Sequence, residues 1–268
     1  MDERESQADA ALLVDGPGEG IWRLTLNRPR SKNAVSFDMW AGFAAALDRI
    51  EAETPPRVVI LEGADGFFSI GGDVKVPPAR GDGALAPAAR LEQGQRVMAR
   101  LRALPVPVIA AVEGGAFGIG LSLALSCDIV FASETAVFGA PFIDFGVVPD
   151  GGAAWHLTRR LGRARAAELI FSGRTIDAAE ALSLGLVSRL APPGKVAEAA
   201  LDFAAAMGHG NRLATELAKR LLHTAETADL EDVYALELAY CAICQTGPEM
   251  ENARRYFASL RKGAREKD

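Results

Sequence analysis

The stretch Ala110-Ala111-Val112-Glu113-Gly114-Gly115-Ala116-Phe117-Gly118-Ile119-Gly120-Leu121-Ser122 decides how this chain is read. The apolar run 106–112 that leads into it reads as a buried strand. Glycines at 114, 115, 118 and 120 follow. Residues 119–126 are small and apolar, as suits a buried helix. A strand, a glycine turn and a helix start leave backbone N–H groups without intrahelical partners, able to face a ligand. On this reading the amides hold an oxygen that gains negative charge during a reaction. The spacing Gly115-x-x-Gly118-x-Gly120 is wrong for a dinucleotide fingerprint, and that alternative is rejected.

Upstream, residues 1–9 are polar and read as a frayed, disordered N-terminus. Ala11 to Val14 and Ile21 to Leu26 read as strands around a Gly-Pro-Gly turn at 16–18. Asn27 to Asn33 is a loop set by Pro29 and the asparagines. Ser36 caps a helix to about Ala52, with Met39, Trp40, Phe43, Leu47 and Ile50 on one face. Arg57 to Glu62 is a strand, 76–87 a Pro/Gly/Ala-rich loop, and Leu91 to Leu104 an amphipathic helix. Downstream, Asp128 to Ala132 and Ala136 to Gly139 are strands, 140–153 is a loop, and helices follow at 155–161 and 163–171. Val187 to Leu190 is a last strand, and from Val196 the pattern is helical to about Leu260. Strands alternating with helices, then helices alone, make an α/β core over 10–195 and a helical region over 196–268.

The chain has 268 residues and 49% hydrophobic content, enough for a large core. A net charge of −6 argues against nucleic acid as a partner. Three cysteines, an odd number, fit a reducing compartment better than a disulfide framework. Cys241 and Cys244 lie in a helix-like stretch and read as core packing rather than a metal or redox pair. The charged N-terminus lacks a signal peptide's apolar segment, and no apolar run reaches the roughly 18 residues of a membrane helix. The expectation is a soluble cytoplasmic protein with no membrane partner and no metal.

Four separated segments then line up. They are Leu26-Asn27-Arg28-Pro29-Arg30-Ser31-Lys32-Asn33-Ala34, Phe68-Ser69-Ile70-Gly71-Gly72-Asp73, Pro107-Val108-Ile109-Ala110-Ala111-Val112-Glu113-Gly114, and Phe138-Gly139-Ala140-Pro141 through Gly152. In order and spacing the chain resembles the enoyl-CoA hydratase/isomerase (crotonase) superfamily over roughly residues 10–260. The resemblance implies a spiral of ββα units with a C-terminal helical trimerisation region, often a homohexamer built from two homotrimers. It implies an acyl-CoA thioester substrate and no cofactor beyond the coenzyme A that the substrate carries. The two amides on the thioester oxygen fall, by motif position, at Gly72 and at Ile119, next to Gly118. Ile119 stands where the family commonly has glycine, so its β-branched side chain is expected to narrow the pocket. Arg30 and Lys75 fall where the family places bases near the CoA phosphates. Ile70 and Gly72 fall where its backbone meets the adenine, and Lys262 is a further candidate.

The departures concern the carboxylates. The family's hydratases use two glutamates, and at the matching positions this chain has Ser122 and Phe142. Neither side chain can deprotonate water as a carboxylate does. Asp150 is the alternative base, because the segment around it resembles the isomerase branch of dienoyl-CoA and epoxyphenylacetyl-CoA isomerases. Moving a double bond needs one base that takes a proton from one carbon and returns it to another. If some of Phe138, Phe142, Phe145 and Trp155 line the pocket, desolvation would make Asp150 a better base. The alternative is that Asp150 only caps the helix that follows it. Asp144 is a weaker candidate, and His156, His209 and His223 show no ligand or triad spacing. An isomerase is therefore expected, with a hydratase of unusual water activation and a non-catalytic acyl-CoA binder as the competing readings.

Overall fold

Strands β1 (Leu12–Gly18) and β2 (Ile21–Leu26) form an antiparallel pair at one edge of the larger of two sheets. The computed structural model describes residues 10–18, 20–52, 56–207, 212–247, 250–251 and 254–256. From β2 the sheet runs parallel through β3 (Val58–Gly63), β4 (Val108–Val112), β6 (Ile129–Ser133) and β9 (Arg189–Ala191). Every residue of β4 is buried, as a parallel strand covered on both faces requires. A second, three-stranded sheet joins β5 (Gly115–Phe117) in parallel to β7 (Val137–Gly139), which pairs antiparallel with β8 (Thr175–Asp177).

Helix α1 (Phe37–Ala52) buries the face expected of it, with Met39, Trp40, Phe43, Leu47 and Ile50 inward. The Ser36 hydroxyl accepts from the Met39 N–H at 3.2 Å and caps its start. Helix α2 (Ala89–Ala103) lies against α1. A Cβ at Gly94 would stand 2.8 Å from the Trp40 ring, so the missing side chain sets how closely the two helices approach. Arg100 on α2 bridges to Asp48 at 2.7 Å and to Glu51 at 2.9 Å on α1. All of α3 (Ile119–Leu125) is buried. Helices α4 (Ala153–Leu161), α5 (Arg163–Ser172) and α6 (Ala178–Ser183) follow. Trp22, Trp40 and Phe43 are fully buried, each contributing roughly 2–3 kcal/mol.

The chain divides into two units, Met1–Leu104 with Val108–Ala204, and Pro105–Pro107 with Ala205–Asp268. Helix α7 (Val196–Ala206) belongs to the first as far as Ala204. The second holds α8 (Arg212–Ala225) and α9 (Leu230–Thr246), and its buried Lys219 donates to the Val106 carbonyl at 2.8 Å.

Three expectations need correction. Gly-Pro-Gly 16–18 is not a turn but the irregular end of β1, where the register shifts between Asp15 and Gly18. A Cβ at Gly16 would stand 2.7 Å from the Trp22 ring, so packing rather than turning places glycine there. The glycine-rich stretch after β4 is more than a turn, since β5 lies inside it and opens the second sheet. Cys241 and Cys244 do not pack in a core: Cys241 is exposed, and α9 has no buried residue.

Candidate active site

The site is built where the two glycine-bearing segments meet. Ser69 pairs with Ala116, the Ser69 N–H donating to the Gly115 carbonyl at 3.1 Å and the Phe117 N–H to the Ser69 carbonyl at 3.0 Å. This carries residues 70–72 alongside 117–119. Gly71 and Gly118 both have positive φ, 108° and 52°, a region side chains disfavour. A Cβ on Gly71 would stand 3.0 Å from the Phe117 carbonyl oxygen and 3.9 Å from the Gly118 Cα. Glycine at 71 is what allows the two backbones to approach this closely.

Buried Asn33 holds the neighbouring loop in place. Its side chain accepts from the Arg28 N–H at 2.8 Å and donates to the carbonyls of Ala64 and Phe67 at 3.0 and 2.6 Å. The Ile70 N–H in turn donates to the Lys32 carbonyl at 2.9 Å. The backbone N–H groups of Gly72 and Ile119 donate no hydrogen bond among the described residues. Ile119 is the first residue of α3, where no intrahelical partner exists.

A cavity of about 600 Å³ opens at this junction, and all its lining residues lie in the first unit. Ile70, Gly72, Lys75, Gly118, Ile119, Phe142 and Asp150 all line it. The loop over 76–88 contributes Val76, Pro77, Pro78, Pro87 and Ala88. Of the four aromatic residues named from sequence, Phe142 and Phe145 reach the wall, while Phe138 and Trp155 are not part of it. Arg30 is exposed on a short turn at Pro29–Ser31 and stands outside the wall. Asp144 is exposed beside Gly173 and also outside it. His209 and Lys262 lie outside the described residues.

Asp150 is the most perturbed acid on the wall. Burial pushes its carboxyl up to about 6, against the opposing pull of the Arg90 charge. Its Oδ1 is buried without a hydrogen-bond partner. It does not cap the following helix: the cap position of α4 is Gly152, with no side-chain cap bond. What holds Asp150 is its backbone, whose carbonyl accepts from the Ala153 N–H at 2.9 Å and from the Ser122 hydroxyl at 2.8 Å. Ser122 thus ties α3 to the loop that carries the carboxylate. Gly151, with φ 59°, completes this arrangement, because a Cβ there would meet Ser122, Met98 and Ile119 at 2.9–3.2 Å. The side chain of Ile119 therefore packs toward Gly151.

Arg90, at the start of α2, gives no signal in the sequence beyond being one arginine among many. In the structure it lines the cavity and acts on Asp150 through its charge. Its Nη1 donates to the Asp73 carbonyl at 2.7 Å and to the Val76 carbonyl at 3.1 Å. Beneath it, Asp73 is buried and bridged to Arg28 at 2.8 Å. Burial raises the Asp73 carboxyl, but the Arg28 hydrogen bond, the Lys75 N–H and the charges of Arg28 and Arg90 outweigh this and hold it low. His156 is buried and pushed down to about 4, by burial first and then by Arg160 and Arg102, so it stays neutral near neutral pH. Among the described residues no group of metal-ligating side chains is assembled.

The sequence profile of the enoyl-CoA hydratase/isomerase family matches residues 16–263. A Rhizobium meliloti (strain 1021) protein described as a probable enoyl-CoA hydratase is 38% identical over 214 residues, 79% of this chain and 80% of its own. The 2,3-dehydroadipyl-CoA hydratase of Escherichia coli (strain K12) is 35% identical over 225 residues, covering 84% of this chain and 87% of that one. Among solved structures, an enoyl-CoA hydratase from Polaromonas sp. JS666 superposes with a TM-score of 0.87 at 31% identity. That match covers 93% of this chain and 97% of the other.

Proposed function

Because the chain belongs to the enoyl-CoA hydratase/isomerase family of acyl-CoA enzymes, we propose that it shifts a double bond, or opens a strained ring, in an acyl-CoA thioester. The amides of Gly72 and Ile119 bind the thioester oxygen, and Asp150 is the acid/base. The observation that carries this reading is the Asp150 carboxyl: on the cavity wall, largely buried, with Oδ1 unpartnered and its proton affinity raised to about 6. A carboxylate of that affinity is mostly ionised at neutral pH yet a stronger base than an exposed one. It removes a proton from a carbon activated by the thioester, and the electron pair moves to the oxygen held by the two amides. The same carboxyl then returns the proton to a different carbon, and no second acid is needed.

Ser122 and Phe142 support isomerisation over hydration. Ser122 is committed to the Asp150 backbone, and Phe142 makes the wall apolar where a second carboxylate would hold water. The specific point in favour of hydration is that the Rhizobium and Escherichia coli relatives are described as hydratases. A non-catalytic acyl-CoA binder is the remaining alternative. The reaction proposed needs no cofactor other than the substrate's own coenzyme A, with Arg30, Lys75 and the Ile70 backbone on the CoA side. A cytoplasmic homotrimer or homohexamer built through the C-terminal helices is proposed with it. Exposed Tyr234 and Leu238 on α9 suit such an interface, and sedimentation of the purified protein tests it. No described helix is long and apolar enough to cross a membrane.

The test offers purified protein a 3-enoyl-CoA and, separately, crotonyl-CoA. The proposal expects conversion of the first, with an acidic limb in kcat/KM near pH 6, and little hydration of the second. Efficient hydration of crotonyl-CoA without isomerisation overturns it, and binding without turnover of either favours the non-catalytic reading.

A further inference from the structure

Arg90 stands between the two halves of the proposed chemistry. On one side its Nη2 lies 3.4 Å from where a Cβ of Gly72 would be, next to an amide proposed to bind the thioester oxygen. On the other its charge acts on the Asp150 carboxyl. Nη1 is tied to the carbonyls of Asp73 and Val76, which fixes the plane of the guanidinium. Neither Nη2 nor Nε has a hydrogen-bond partner among the described residues, although both can donate. Asp73 is already engaged by Arg28. The other charged side chains on the cavity wall are Lys75, which is exposed, and Asp150.

We propose that Arg90 supplies the positive charge that remains beside the substrate when Asp150 passes its negative charge to it. This rests on the reading of Asp150 as the base and of Gly72 and Ile119 as the oxygen's donors. Before the reaction Asp150 is a carboxylate on the same cavity wall as Arg90 and under the influence of its charge, without a direct salt bridge. The C–H bond of the activated carbon breaks, its proton goes to an Asp150 oxygen, and its electron pair ends on the thioester oxygen. Asp150 is then neutral, and the new negative charge lies beside Gly72, close to Nη2 of the same guanidinium. The negative charge that the guanidinium acts on moves from Asp150 to the oxygen without the cation moving. When Asp150 returns the proton to another carbon, it is again the anion on which the Arg90 charge acts. A fixed charge that faces both ends of this transfer needs no reorganisation during the step, the condition under which such groups lower a barrier most.

The Nη1 bonds also tie down residues 73–76, so the test must separate charge from anchoring. Arg90→Gln removes the charge, and Arg90→Lys keeps it but loses the planar fork. Turnover of a 3-enoyl-CoA and exchange of the α-hydrogens of butyryl-CoA with deuterium oxide are measured for both, with Asp150→Asn alongside. Arg90→Gln is expected to lower kcat and the exchange rate together, on the order of 100-fold, with a smaller change in KM. Its acidic limb moves above that of the wild type, because Arg90 favours the ionised Asp150. Arg90→Lys recovers a substantial part of both rates. Wild-type kcat in Arg90→Gln overturns the inference. So does an Arg90→Lys as slow as Arg90→Gln, with raised KM in both, which would assign Arg90 to the loop alone. If Asp150→Asn is inactive while Arg90→Gln is fully active, only this inference fails. If Asp150→Asn is fully active, the reading beneath it fails as well.

Discussion

Replacing Asp150 by asparagine should stabilise the protein, and only above the acid range. Burial raises the Asp150 carboxyl from 3.8 to about 6, a difference of about 2 units. At about 1.4 kcal/mol per unit this comes to roughly 3 kcal/mol. The sign follows from linkage: a group that binds its proton more tightly when folded favours the folded state while protonated. That contribution is complete below the unfolded carboxylate's value and is lost as pH rises through about 6. At neutral pH the folded protein therefore carries a costly buried charge. Asparagine keeps the shape without the charge, and the cap position is Gly152, so no helix cap is lost. Urea unfolding of both proteins should give nearly equal stability at about pH 3 and a gain of about 2–3 kcal/mol for Asp150→Asn at about pH 8. A difference independent of pH would refute the reasoning. So would a variant less stable at about pH 8 by the roughly 1 kcal/mol of a lost cap.

Three further outcomes follow from neighbouring contacts. Ser122→Ala removes the hydroxyl on the Asp150 carbonyl and should cost about 1 kcal/mol in denaturant unfolding. Its steady-state kinetics should show a lower kcat with KM little changed, because the proposed base is less well placed and the proposed CoA contacts are untouched. Gly151→Ala places a methyl 2.9 Å from the Ser122 Cβ at a φ of 59° and should destabilise by roughly 1–3 kcal/mol, read as a lower thermal midpoint. Asp73→Asn breaks the bridge to Arg28 and should cost up to about 3 kcal/mol at neutral pH. Because the Asp73 carboxyl is held low, that stabilisation is present above its unfolded value and lost as pH falls. Wild type and variant should therefore converge in acid urea melts.

Long periodic segments were legible from the sequence alone. The face of α1 and its Ser36 cap follow from a 3.6-residue pattern after a hydroxyl residue, and β4 from an unbroken apolar run. The meeting of 70–72 with 117–119 was legible only through the resemblance, because nothing local links segments so far apart. Short β7 and β9 were found because each carries an apolar core, but two other short strands were not. β5 and β8 have three residues each, too few for a period, and exist because they pair with β7. Gly16 looks like a turn residue but is small for the sake of the Trp22 ring. Cys241 and Cys244 failed because an apolar helix pattern does not say what covers it. Within the site, Ser122 and Arg90 are anchored on backbone carbonyls, which any residue possesses, so their partners leave no mark in the sequence.

In the proposed mechanism one carboxylate, Asp150, moves a proton between carbons of an acyl-CoA thioester. The rate of 3-enoyl-CoA isomerisation by wild type and Asp150→Asn tests it most directly, at a pH above about 6 where the carboxyl is ionised. Asp150→Asn is predicted to fold, to bind the thioester, and to lose about 100-fold or more in kcat, as removal of a general base does. Turnover by Asp150→Asn equal to that of the wild type would contradict the account.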